Sequence, residues 1–353
     1  MRRGASLVAI ALIAATSVAQ AESRWERLRA DALSWLGFSE DPGAALARRG
    51  GTRVLLGPDV DDFRNPILVE LRDDARKLMR EARIPWGSLE VRDGGVEVRP
   101  RDPSSLPRVL SALAATAGPA HDAVDIRETG DGVVRLVPAE RALADRLNGS
   151  IDQAVDIIRR RLDAAAISAS VKRDGADRIL VIAPGLTEPA QLVQLIQPTA
   201  RLEFRLIDLS IPASGAMQSR APADSEVLFG FKAKEPYLVY KQSALDGRDI
   251  ADARPAFNQN GQPCLDFRFT ARGARVFGQL TQENVGRPFA IVLDGQVLVA
   301  PVIQTPILGA YGQITGNFTV EEATRLAVQL RAGMLPVKLN VIEQTTVAPA
   351  AKN

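Results

Sequence analysis

Cysteine and histidine are almost absent from this sequence of 353 residues. It contains one cysteine, Cys264, and one histidine, His121. A single cysteine excludes an intrachain disulfide framework and any zinc site built from several cysteines. A single histidine excludes a histidine-pair metal site, and it leaves His121 as the only histidine that could act as the base of a nucleophile triad. We therefore expect no catalytic site, no metal site and no cofactor, and we interpret the protein as non-enzymatic.

Excess charge and a phosphate-binding loop are also missing. The net charge is +2, so there is no basic excess of the kind that indicates nucleic-acid binding. The glycine pairs Gly50-Gly51 and Gly94-Gly95 lack the spacing of a phosphate-binding or dinucleotide-binding loop, and we interpret them as turns. The hydrophobic fraction of 46% is ordinary for a folded globular protein and is enough for a sizeable core.

The N-terminus has the pattern of an export signal. Arg2 and Arg3 precede an apolar stretch over residues 7–15, and Ala19-Gln20-Ala21 is a small-x-small cleavage site. This predicts a signal peptide over residues 1–21 and a mature protein in the periplasm. The alternative is an uncleaved segment that anchors the chain in the inner membrane, but the apolar run is shorter than the roughly 20 residues of a spanning helix. After it, no apolar stretch is long enough to span a membrane, so the mature protein is expected to have no membrane span.

The next two hundred residues alternate between strand-like and helix-like patterns. Residues 22–50 are interpreted as an N-terminal helix and a linker, in which Asp41-Pro42-Gly43 forms a turn. Residues 51–130 and 131–208 each have the element order βαββαβ, which predicts two tandem ferredoxin-like units in an α+β protein. In the second unit a helix is expected to break near Asn148-Gly149 and to restart with Ser150 as its N-cap. A strand near residues 200–207 closes that unit.

The last third of the chain has clear local signals. Residues 210–224 are rich in proline, serine and alanine and are interpreted as a loop. Asp294-Gly295 between two apolar runs predicts a hairpin with a type I′ turn. Thr319, with Glu322 three residues later, is a capping box that begins a helix, and Gly333 ends that helix. Residues 337–347 are expected to form a final strand, followed by a tail.

Several long motifs in this region resemble a known family. Residues 257–270 read FNQNGQPCLDFRFT, residues 284–303 read NVGRPFAIVLDGQVLVAPVI, and residues 312–336 read GQITGNFTVEEATRLAVQLRAGMLP. Residues 151–168, 175–185 and 199–208 carry further motifs in the same order. Together they resemble the first periplasmic domain of the bacterial protein-export family SecD, over roughly residues 151–347. The resemblance implies a base formed by the ferredoxin-like units, an α+β head subdomain over residues 209–336, and a segment over residues 337–353 in which a strand returns to the base.

The resemblance also implies a function. The SecD head is thought to capture unfolded segments in an apolar groove, so the candidate peptide-binding residues are exposed apolar side chains near strand edges and in loops. They are Phe257, Phe267, Phe289, Leu308, Tyr311 and Phe318, although large apolar side chains also serve as core. The expected partners are unfolded or translocating polypeptides, with the Sec translocon or another envelope complex. The predicted role is to assist Sec-dependent export or post-export handling.

Two other functional classes remain open, and two features depart from the family. The chain could be a periplasmic scaffold that docks on an envelope complex without binding peptide, or an enzyme. In residues 46–51 the glycine pair of the SecD pattern G-x-D-L-[RQ]-G-G fits, as do the apolar residues 54–56 that follow. Ala47, however, stands at the acidic position and Arg48 at the next. SecD also continues into further membrane helices that this sequence does not contain. We therefore expect that this polypeptide alone does not carry out proton-driven pulling.

Overall fold

A computed structural model describes residues 41–118, 123–218 and 221–350. In these residues helices and strands are mixed along the chain, which confirms the predicted α+β class. The helices are α1 (Pro42–Arg49), α2 (Val60–Glu81), α3 (Leu106–Leu113), α4 (Glu140–Ala164), α5 (Pro189–Ile196), α6 (Ala213–Gln218), α7 (Ala271–Glu283) and α8 (Val320–Ala332). The strands are β1 (Gly51–Pro58), β2 (Trp86–Arg92), β3 (Gly95–Pro100), β4 (Val124–Thr129), β5 (Val133–Pro138), β6 (Ser170–Asp174), β7 (Arg178–Pro184), β8 (Leu202–Leu206), β9 (Ser225–Gly230), β10 (Pro236–Tyr240), β11 (Leu245–Asp246), β12 (Ile250–Phe257), β13 (Pro263–Phe269), β14 (Phe289–Leu293), β15 (Gln296–Val299), β16 (Tyr311–Thr315) and β17 (Leu339–Val347).

The first sheet joins the two ends of the described chain. Its strand order is β17-β1-β7-β6, and every neighbouring pair is antiparallel. Helices α4 and α5 bury their apolar faces against it, with Ile158 and Leu162 of α4 packed on Val54, Ile179 and Val181. We call this sheet with α4 and α5 the base. Its elements follow the order βαββαβ, but they come from distant parts of the chain.

A second sheet is inserted between β1 and α4. Its order is β2-β3-β5-β4, and α2 and α3 cover one face of it. The helices contribute Leu71, Met79 and Leu113, and the sheet contributes Val98 and Leu136. This insertion therefore has its own apolar core, separate from the core of the base.

The head comprises the elements from β8 to α8. A six-stranded sheet has the order β10-β9-β15-β14-β8-β11, and a three-stranded sheet has the order β12-β13-β16. Apolar side chains from both sheets, from α7 and from α8 form one core. Helix α8 also touches the base, because Val328 belongs to the base core while Leu326 and Leu330 belong to the head core.

The strand partners differ from those of two independent tandem units. Strand β1, expected in the first unit, pairs with β7 of the second unit and with β17. Strand β5, expected to open the second unit, pairs with β3 and β4 of the first. Strand β8, expected to close the second unit, pairs with β14 and β11 in the head. Element order along a chain does not determine partners, because a strand pairs with whichever neighbour buries its apolar face.

Two local expectations were wrong for related reasons. Asp41-Pro42-Gly43 does not form a turn, because the Asp41 carboxylate accepts a 3.0 Å hydrogen bond from the Ala44 amide and caps α1, which begins at Pro42. Proline is well suited to the first turn of a helix, where its missing N–H is not needed. Likewise α4 continues through Asn148-Gly149, and the Ser150 hydroxyl donates to the Arg146 carbonyl inside the helix instead of capping it. Leu143 and Leu147 pack on the base core and hold this stretch helical.

Other local predictions are confirmed. The capping box is present, since the Thr319 hydroxyl accepts from the Glu322 amide and the Glu322 carboxylate accepts from the Thr319 amide. Asp294 and Gly295 both have positive φ in the predicted hairpin. The predicted signal peptide, residues 22–40 and His121 lie outside the described residues. Among the described residues no helix is long and apolar enough to cross a membrane.

Candidate functional site

An apolar groove of about 330 Å³ opens in the head between its two sheets. Strand β16 forms one wall. Strand β15 and the loop that follows it, residues 300–310, form the other. All of the lining side chains are uncharged. The lining residues are Phe204, Phe267, Phe277, Phe289, Ile291, Val299, residues 301–305, Ile307, residues 311–313 and Thr315.

A cluster of phenylalanine rings forms the floor of the groove. Phe204 on β8 is fully buried at its centre, and its ring centroid lies 6.0 Å from that of Phe267 and 5.6 Å from that of Phe277. Phe289 stacks on the far side at 6.4 Å. Tilted and edge-to-face pairs at these distances add stability beyond the area that they bury. The floor is therefore rigid, and it presents apolar rings to whatever enters the groove.

The loop over residues 300–310 is held by hydrogen bonds along its length. The amide of Ile303 donates to the Arg287 carbonyl, and the amide of Ile307 donates to the buried Thr281 hydroxyl at 2.9 Å. At the C-terminal end the Ala310 carbonyl accepts from the Phe269 amide at 2.7 Å. Because the loop is held at both ends and near its middle, Val302 is presented with 46% of its surface exposed beside the groove.

Strand β16, which forms one wall of the groove, is an edge strand of its sheet. Strand β16 pairs only with β13 among the described residues, so its other side has no partner. Because Ala310 is hydrogen-bonded to β13, the alternation of antiparallel pairs places Gly312 and Ile314 in hydrogen-bonded pairs as well. The main-chain N–H and C=O groups of Tyr311, Gln313 and Thr315 therefore point away from β13. An extended chain laid in the groove would meet these groups.

One glycine permits this arrangement of the edge. A side chain at Gly312 would overlap the ring of Phe267 on the neighbouring strand. Glycine at this position leaves room for the Phe267 ring beside β16 and extends the apolar floor to the strand edge. The sequence therefore specifies both the exposed edge and the apolar surface beside it.

The charged side chains lie on the outer face of the three-stranded sheet. Asp252 and Arg254 on β12 form an ion pair at 2.9 Å, and Asp266 on β13 accepts from the Gln313 amide group at 2.8 Å.

Cys264 on β13 is fully buried, and burial together with the Asp266 charge raises the pKa of its thiol. A buried thiol with a raised pKa is a poor nucleophile. No three His, Cys, Asp or Glu side chains among the described residues are placed to hold a metal ion.

The structure separates the six residues predicted for peptide binding. Phe267, Phe289 and Tyr311 line the groove, the first two in its floor and the third, 74% exposed, at its mouth. Leu308 is 73% exposed and lies against α7 at Gly278.

Leu308 does not line the groove, and the other two predicted residues also lie outside it. Phe318 is buried in the head core. Phe257 is 64% exposed on β12, the opposite edge strand of the three-stranded sheet. Neither lines the groove.

Sequence reasoning missed the wall formed by the loop. Val299, Val302 and Ile307 line the groove beside Gln304 and Thr305, and none of them was a candidate. The loop follows a hairpin whose own pattern is that of an ordinary buried strand pair, so periodicity alone gave no sign that its end faces a groove. Proline at 301 and 306 was the available signal, because proline interrupts strand pairing and leaves an irregular wall.

Comparisons with known proteins agree with this architecture. Residues 224–337 match the family model "SecDF, P1 head subdomain", and residues 151–209 match "Protein translocase subunit SecDF, P1 domain, N-terminal". The first range contains every residue that lines the groove except Phe204. The second contains the C-terminal part of α4, the strands β6 and β7, α5, and β8 with Phe204. The fold and the site therefore define a P1-type domain, with a base and a head.

Curated relatives extend the match over most of the chain. The protein translocase subunit SecD of Rickettsia conorii is 35% identical over 308 residues, which is 86% of this chain and 58% of the relative. SecD of Magnetococcus marinus is 35% identical over 319 residues, covering 86% of this chain and 59% of the relative. This chain resembles the first periplasmic (P1) domain of the SecD/SecDF protein translocase subunits. It spans a little over half the length of the curated relatives that it matches.

Two solved SecDF structures are also similar. One, described as a membrane component that enhances protein export, is 32% identical and covers 56% of this chain and 92% of its own, with a TM-score of 0.46. The other, SecDF in a super-membrane-facing form, is 25% identical and covers 82% of this chain and 36% of its own, with a TM-score of 0.48.

Proposed function

We propose that this chain is a non-enzymatic periplasmic module that binds unfolded or translocating polypeptide and thereby assists Sec-dependent protein export. Its kinship with protein translocase subunits supports a role in protein translocation. The observation that carries the finer proposal is the groove, in which an open strand edge runs beside an uncharged, aromatic floor. The Sec translocon is the proposed neighbour, and the N-terminal export signal supports a periplasmic location.

The geometry of the groove suits an extended chain. A peptide added beside β16 would pair with the outward N–H and C=O groups of Tyr311, Gln313 and Thr315, and such main-chain bonds do not depend on sequence. Five residues of β16 span roughly 17 Å at about 3.4 Å per residue, so about five peptide residues can pair. Alternate side chains would point toward the phenylalanine floor. The preferred substrate is therefore a short apolar segment without charge.

Site-specific photocrosslinking tests this proposal. A photoreactive amino acid replaces Val302 at the groove in one variant and Phe257 on the opposite edge strand in a matched control. Both positions are exposed and apolar, so they differ in location and not in chemistry. We expect a labelled, unfolded model peptide to crosslink strongly at Val302 and weakly at Phe257. Equal crosslinking at the two positions would contradict binding in the groove.

The scaffold interpretation makes the opposite prediction. A protein that docks on an envelope complex without binding peptide should give no peptide adduct at Val302. It should instead give a single discrete partner when the crosslinking is performed in the cell envelope. The two functions are thus separated by whether the free peptide alone is captured.

A further inference from the structure

Arg161 is a fully buried arginine on α4, and its position is unusual for a charged residue. It lies in the base, on a helix whose neighbouring positions Ile158 and Leu162 are apolar core. Buried arginines are normally paired with a carboxylate. Among the described residues Arg161 has no salt bridge, and its Nε has no hydrogen-bond partner. Its two terminal nitrogens instead donate to main-chain carbonyls.

These carbonyls belong to the two segments that connect the base with the head. Nη1 donates to Ile196 at 3.2 Å and to Pro198 at 2.5 Å, where the chain leaves α5 for the head. Nη2 donates to Thr199 in the same segment at 3.4 Å. Nη2 also donates at 3.1 Å to Gly333, where the chain leaves α8 to return to β17. A single guanidinium therefore binds both segments that connect the base with the head.

The Arg161 guanidinium also lies at the C-terminal ends of two helices, where a positive charge is favourable. Ile196 is the last residue of α5, and Gly333 is the C-cap of α8. Both helices point the negative ends of their dipoles at the guanidinium, which satisfies carbonyls that have no partner within a helix. Burial lowers the pKa of Arg161 to about 10, so the group remains charged at neutral pH.

Further hydrogen bonds join the two connecting segments to each other and to the head. The Leu335 amide donates to the Thr199 carbonyl, which joins the two segments. Asp294, in the head hairpin, accepts from the Thr199 hydroxyl and from the amides of Ala200 and Arg201. Ala200 has a φ of 57°, a left-handed conformation that costs energy for any residue with a side chain. Surrounding contacts are needed to hold the chain in that conformation.

We propose that Arg161 is the pin of a two-segment hinge and that its guanidinium fixes the orientation of the head on the base. The pin acts on the residues around Pro198 and Gly333, through which every covalent path between base and head passes. The role is one of positioning and is independent of peptide binding in the groove. Losing the guanidinium removes the hydrogen bonds that tie both segments to α4, without removing a side chain from the head core.

Spin-label distance measurement on the whole chain tests the pin. In a Cys264→Ala background, labels are attached at Lys172→Cys on β6 of the base and at Gln282→Cys on α7 of the head, both exposed. We expect one narrow distance distribution with Arg161 present and at least a twofold broader or a shifted one for Arg161→Met. Arg160→Met is the matched control, because Arg160 is the adjacent exposed arginine.

Circular dichroism on the same samples establishes that each variant is folded. If Arg161→Met does not fold, Arg161→Lys replaces it, since lysine keeps the charge but cannot reach both segments with one planar group. A broadened distribution in the folded lysine variant supports the pin. A folded Arg161 variant of either kind that keeps the narrow distribution, or an Arg160→Met variant that broadens equally, overturns it.

Discussion

Replacing Gln313 with proline would remove one N–H group from the open edge of β16. The N–H of Gln313 points away from β13, so its loss breaks no hydrogen bond of the sheet. A bound peptide would lose one donor and leave its own carbonyl unsatisfied, which costs about 1–3 kcal/mol. At about 1.4 kcal/mol per factor of ten, Gln313→Pro is expected to weaken peptide binding about 5- to 150-fold.

The matched control is Gln313→Ala, which removes the same side chain and its hydrogen bond to Asp266 but keeps the N–H. Both variants should retain stability within about 1 kcal/mol, because the side chain is exposed and an edge strand tolerates proline where the N–H points away from the sheet. Fluorescence polarisation with a labelled, uncharged apolar peptide measures the two dissociation constants, and thermal melts establish folding. If Gln313→Pro binds as tightly as Gln313→Ala, the peptide does not pair with β16.

Three further outcomes follow from the structure. Phe204→Ala should lower the free energy of unfolding by about 3–5 kcal/mol, because the Phe204 ring is fully buried. Phe257→Ala should change it by about 0.5 kcal/mol or less, because Phe257 is exposed. Similar losses for the two variants in calorimetry would contradict a core centred on Phe204. Thr319→Ala should cost about 1 kcal/mol through loss of the capping box, and an unchanged melting temperature would argue against the cap. The Ser225 hydroxyl lowers the pKa of Asp208, so this carboxylate stabilises the fold above its usual pKa of about 3.9 and the stabilisation is lost as the pH falls through the lower folded value. The difference in free energy of unfolding between the unmodified protein and Ser225→Ala should therefore become smaller between pH 6 and pH 2. A difference that does not change with pH would contradict a stabilising role of the Ser225–Asp208 hydrogen bond.

Local signals in the sequence were dependable where the interaction itself is local. The capping box at Thr319 and the hairpin at Asp294-Gly295 depend on residues within a few positions of one another, and both are present. Asp41-Pro42-Gly43 shows the limit, because the same three residues suit a turn and a helix start equally well. At Asn148-Gly149 the packing of Leu143 and Leu147 overrode the weak helix propensity of the pair.

Long-range pairing and the groove could be predicted only in part. The partners of β1 lie far along the chain, and nothing in the alternation of its residues distinguishes β7 and β17 from β2 and β3. The aromatic candidates could also not be separated by sequence alone: Phe267 and Phe289 belong to the head core and line the groove, whereas the buried Phe318 and the exposed Phe257 do not line it. The role of Arg161 was also invisible, since three consecutive arginines on a helix suggest an exposed face. Its burial follows from the helix rotation that places Ile158 and Leu162 in the core.

The pairing of β1 with β17 places a constraint on how the chain folds. Gly51 lies opposite Val347, so the base cannot be completed until the roughly three hundred residues between these strands have been synthesised. The inserted sheet and the head are encoded between these strands and can form their own cores earlier. Until β17 arrives, β1 presents an unpaired edge rich in apolar residues, which is an aggregation hazard. Strand β17 thus joins β1 only after all the elements between them have been synthesised, and this non-local pairing is expected to limit the rate of folding.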